Sequence, residues 1–144
     1  MNVFIRIVLI ASGAFIVVEA IPLAWFNFVL CWSIIIVAAY VYPHHLIDKV
    51  QAMSSSVGFA VGMGAAIGAL VNTLGMIGAF VVHSIFFGLA ATAHRPDEFG
   101  ALAGSASAVG DMMQLVGAPF WGAALGAVGG LVGGSTIPRG SRAQ

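Results

Sequence analysis

No Asp, Glu, Lys or Arg occurs anywhere in residues 50–94. With the polar start at residues 51–56 set aside, about 38 apolar and small residues remain, roughly 57 Å of chain as one helix at 1.5 Å per residue. A bilayer's hydrocarbon layer is about 30 Å thick and takes about 20 helical residues. The run is therefore too long for one simple crossing and only just long enough for two. Either one long helix passes through, or two crossings of about 18 residues turn at Asn72-Thr73-Leu74-Gly75. Composition excludes a soluble domain: the chain is 60% apolar and only 7% charged, against about 25% charged in soluble domains.

Three further stretches have membrane character. Residues 3–21 carry Arg6, which can snorkel toward a headgroup layer, and Glu19 near the far end, after which Pro22 breaks the chain. Residues 23–42 have Trp25 near one end and Tyr40 and Tyr42 near the other, the placement expected of interfacial aromatic anchors. Pro43 then stops the helix, and PHHLIDK is a wet loop. The last stretch, residues 101–134, is most apolar from Met112 onward and is followed by Thr136, Pro138, Arg139 and Arg142. The expected fold is all-α: one polytopic membrane domain over residues 1–144, with four transmembrane helices at about 3–21, 23–42, 56–93 and 101–134, five crossings being the alternative. MNVFIR followed by IVLIASGAFIVV also has the outline of a signal peptide. A single positive charge before the apolar core and the acidic Glu19 at the cut favour a retained helix.

Charge placement and an internal repeat favour one long helix over two short ones. With four crossings and an internal N-terminus, Arg6, Lys49, Arg139 and Arg142 lie inside and only Arg95 outside, so both termini are expected in the cytoplasm. Gly64-Ala-Ala-Ile-Gly-Ala69 reappears as Gly122-Ala-Ala-Leu-Gly-Ala127, equidistant from the Arg95-Pro96 junction in the turn sequence HRPDEFG. Folded there, the third and last helices pack as an antiparallel glycine-rich hairpin with the two copies level. Gly58, Gly62, Ala65, Ala69, Asn72, Gly75, Ala79 and His83 form one stripe at helical spacing that runs through the alternative turn.

Lipid is as apolar as leucine, so membrane helices associate mainly where small residues let backbones approach. Gly58/Gly62, Gly64/Gly68, Gly122/Gly126, Gly126/Gly130 and Gly130/Gly134 are all four apart. They mark packing faces, either within one chain or as a glycine-zipper interface to a second copy or to other membrane subunits. Asn72 on the stripe is positioned for a polar contact with a neighbouring helix.

Catalytic signatures are missing: there is no nucleophile–base pattern, phosphate loop or regular metal motif. Four histidines and five acids form the polar repertoire, with formal net charge zero and no basic cluster for nucleic acid. His83 follows Ala79 by four residues, a spacing that leaves room for a flat tetrapyrrole on the imidazole. Over those five residues it resembles the Ala-xxx-His element of bacterial light-harvesting polypeptides, which implies a tetrapyrrole ligand; the simpler reading is a histidine bonded to a neighbouring helix or sitting at the interface. His44, His45 and Asp48 could together bind a metal ion, but adjacent loop histidines rarely converge and a wet interfacial loop is expected; Glu19 and Asp111 fall near segment ends, where interfacial placement is expected. Cys31 is expected as a small buried hydrophobe. The expected function is therefore non-enzymatic and cofactor-free: a lipid-embedded accessory subunit, or a homo-oligomer assembled through small-residue faces. A pore, holin-like protein or small transporter is the alternative, and a tetrapyrrole- or quinone-binding subunit using His83 a further one.

Overall fold

The computed structural model describes residues 2–19, 24–51, 56–93 and 98–138. It is all-helical over these residues: α1 (Val3–Glu19), α2 (Ala24–His44), the short α3 (Ile47–Gln51), α4 (Ser56–Ala93) and α5 (Glu98–Thr136). Three stretches are long and apolar enough to cross a membrane: Asn27–His44 in α2, Ser56–Val82 in α4 and Met113–Thr136 in α5. α1 is 17 residues of similar character.

The outer surface explains why the chain belongs in lipid. Phe120 is 76% exposed, Met113 74% and Ile10 69%, and many more Val, Leu, Ile and Phe side chains point outward. Such a surface would aggregate in water, whereas in hydrocarbon it costs nothing. Apolar residues surround every helix, so burial is decided by shape rather than polarity. On α1 the inward residues are Val8, Ala11, Ser12 and Phe15, a spacing of three and four that describes one helical face.

α4 is one continuous helix of 38 residues through Asn72 and Gly75, so the charge-free run does not turn back at its middle. α5 is equally long and passes unbroken through Pro119. The two lie against each other with their numbering opposed. A Cβ built on Gly68 would sit 2.8 Å from the Cα of Gly126, one on Gly64 would sit 2.9 Å from the Cα of Gly130, and one on Gly134 would sit 2.7 Å from the Cβ of Ala60. Each step of four up α4 is a step of four down α5. The repeat copies are level: Gly64 faces Gly126 and Gly68 faces Gly122.

Other contacts fix the remaining directions. Gly129 abuts Ile36 and Ala39, and Gly133 abuts Tyr40 and Pro43, so α2 and α5 run parallel. Phe15 fills the notch at Gly75 and Ile16 that at Gly78, so α1 and α4 run parallel. Phe4 meets Tyr42 edge-on at 5.7 Å, and Glu19 meets Cys31, so α1 and α2 are antiparallel. The long helices thus alternate in direction along the chain.

α2 ends two residues later than its proline suggests, at His44. Pro43 lies inside the final turn and is fully buried. The chain then leaves through bonds from the His45 and Leu46 amides to the Tyr42 and Pro43 carbonyls, both 3.1 Å. His44 Nε2 lies 3.1 Å from Thr136 Oγ1, tying the ends of α2 and α5. At the opposite end α4 and α5 continue past Glu19. Taking the Gly75–Phe15 level as reference, about 14 further residues of α4 extend some 21 Å beyond Glu19.

Candidate functional site

Helix spacing in membranes follows side-chain size, and this creates a large cavity among the described residues. Near the His44 end, Gly129 and Gly133 let α5 touch the backbone of α2. Two turns further along, Trp32 and Trp121 take over that interface, their rings near-parallel with centroids 6.5 Å apart. The glycine contact becomes an indole contact and the helices are wedged open. Among the described residues α1 and α5 do not pack together, so nothing fills the space between them.

The resulting cavity has a volume of about 550 Å³. Its aromatic wall is Phe15, Phe28, Trp32 and Trp121, with Phe28 and Trp32 rings 4.0 Å apart. Met76 and Met113 add apolar, deformable surface. Polar groups reach it from all four long helices: Glu19 from α1, Cys31 from α2, Asn72 from α4 and Gln114 from α5. The Cys31 thiol donates to Glu19 Oε1 at 3.4 Å. The Asn72 amide donates from Nδ2 to the Ala118 carbonyl at 2.7 Å. Asn72 therefore ties α4 to α5 on the floor of the cavity. No Lys, Arg or His is among the lining residues.

The residues singled out in the sequence fall into distinct places. Gly64, Gly68, Gly122, Gly126 and Gly130 are buried in the α4–α5 contact, and Gly134 sits against Ala60 and Val57. Gly75 is buried on another face, receiving the Phe15 ring of α1. Gly58 and Gly62 are exposed, and a Cβ on Gly62 would meet nothing within 4 Å. The face of α4 turned toward α5 thus runs through Ala60, Gly64 and Gly68, two residues out of phase with a stripe beginning at Gly58 and Gly62. The physical reason is that α4 carries small residues on several sides, and the partner's glycines select the face where both backbones can approach. Ala79 is buried; His83 lies on α4 with its side chain outside the described residues, as do the side chain of Asp111 and all of His94. Among the described residues no three His, Cys, Asp or Glu side chains gather to hold a metal ion.

Sequence reasoning placed Glu19 at an interface and Cys31 among the apolar residues, without joining them, and overlooked Gln114. An amide inside the last apolar stretch was a usable signal, since intramembrane polar groups seek partners or cavities. The architecture defines a helical membrane bundle with an aromatic cavity that Glu19 lines. Comparison of the chain with protein-family models, with curated proteins and with solved structures returned no match.

Proposed function

We propose that the chain is a small non-enzymatic integral membrane protein with four crossings, α1 being the fourth, and that α4 and α5 form an antiparallel glycine-rich hairpin serving as its spine. It works as a homo-oligomer or as an accessory subunit of a larger membrane assembly, docking through the outward small-residue face of α4. One observation carries this reading: Gly58 and Gly62 are exposed with open space above Gly62, while Gly64, Gly68, Gly122, Gly126 and Gly130 are buried backbone against backbone inside the bundle. A glycine pair left open on a lipid-facing helix provides a smooth strip for another helix. Arg6, Lys49, Arg139 and Arg142 favour cytoplasmic termini.

The test compares wild type with Gly62→Leu by native mass spectrometry from lipid nanodiscs. The expected result is a wild-type oligomer or heteromeric complex that Gly62→Leu reduces to the single chain, with monomer unfolding unchanged. A wild type that is monomeric in its native membrane extract sinks the reading. The cavity favours a second reading, a small transporter, to be examined by liposome flux with wild type and Asn72→Leu; a flux no higher than protein-free liposomes rejects it.

A further inference from the structure

We infer that the cavity between α1 and α5 is a binding site for a lipophilic monovalent organic cation, with Glu19 as counter-ion and Phe28, Trp32 and Trp121 as the receiving surface. This goes beyond the assembly reading and uses none of its residues.

The sign of the ligand follows from the charges. Among the described residues Glu19 is the only carboxyl lining the cavity, and no basic side chain lines it. Arg6, on the same helix, lies 13 residues earlier, about 20 Å along the axis. Cys31 contributes only a neutral, weak donor at 3.4 Å. The carboxylate attracts a cation and repels phosphate or carboxylate ligands.

The walls set its character. Indole and phenyl faces attract cations through their quadrupoles, and do so most strongly where water is displaced. A cation bearing apolar or aromatic groups satisfies the charge and the wall together; a small hydrated ion would waste the aromatic surface. Size agrees, because about 550 Å³ falls within the range of cavities that enclose drug-sized molecules. Asn72 contributes orientation rather than charge, its amide nitrogen being committed to Ala118.

The probe pair is tetraphenylphosphonium and tetraphenylborate, one shape with opposite charge, titrated by calorimetry and tryptophan quenching into the detergent-purified full chain. Phosphonium is expected to bind saturably and borate at least about tenfold more weakly. Glu19→Gln should weaken phosphonium by about tenfold and shrink the gap between the two ions, as loss of one close charge predicts. Trp32→Leu should weaken it several-fold with the ion preference kept. Borate binding as tightly as phosphonium, or Glu19→Gln leaving phosphonium affinity unchanged, overturns the proposal. Should Glu19→Gln not be recovered folded, the wild-type comparison of the two ions decides alone.

Discussion

The carbonyl oxygen of Gly64 occupies the place where a side chain on Gly126 would begin, and the carbonyl of Gly126 does the same to Gly64. Gly68 and Gly122 repeat the exchange one turn along. Each backbone fills the other's missing Cβ, so dispersion and Cα–H···O contacts replace interlocking side chains.

Gly126→Ala should therefore destabilise the protein by about 2 kcal/mol or more, since a rigid backbone cannot yield as a flexible side chain would. Gly62→Ala, which meets open space, should cost nothing. Reversible unfolding in mixed micelles, followed by far-UV circular dichroism, compares the two; equal losses would mean that α4 turns a different face to α5.

Phe15 is 3% exposed and its ring lies over Gly75. Phe15→Ala should remove about 3 kcal/mol, the usual cost of emptying a buried phenyl site. Gly75→Ala should also destabilise by pushing that ring aside. The double variant should cost less than the sum of the two singles, because each abolishes the same contact.

Ser12 is 5% exposed and its hydroxyl has no hydrogen-bond partner among the described residues. Ser12→Ala should leave stability unchanged or raise it by about 1 kcal/mol, because an unsatisfied buried hydroxyl is a net cost. A loss beyond about 1 kcal/mol would mean that the hydroxyl has a bonded role.

Cys31 is 2% exposed and contacts Glu19. It should resist a membrane-permeant maleimide in the folded protein and react fully once the bundle is unfolded in SDS. The protection factor, read by mass spectrometry, should fall when Phe28→Ala opens the cavity wall.

Much of the architecture was legible because length and charge are blunt constraints. Residues 50–94 lacked any ionic group, and the phase of small residues continued through Asn72, which is what a single helix requires. The echo of Gly64–Ala69 in Gly122–Ala127 pointed to α5 as the partner proposed for α4. What could not be read was which side of α4 faces that partner. In a soluble helix the polar face identifies itself, but here Gly58, Gly62, Gly64, Gly68, Gly75 and Gly78 point in several directions along an apolar cylinder, and only the glycines of α5 break the tie. The cavity was illegible for a related reason. Glu19, Cys31, Asn72 and Gln114 belong to four helices and share no sequence spacing. They meet because tryptophans replace glycines at one end of the α2–α5 contact.

A seam made of glycines every fourth residue is nearly periodic, so a one-turn slide of α5 along α4 would again set glycine on glycine. Neither backbone carries knobs that would resist such a slide. The register is held by features off the repeat: the Asn72 bond to Ala118, and the seating of Gly129 and Gly133 on Ile36 and Tyr40. The molecule thus resembles a vernier whose close contact is set by one scale and whose position is set by another. Loosening the pins would free translation long before it separated the helices.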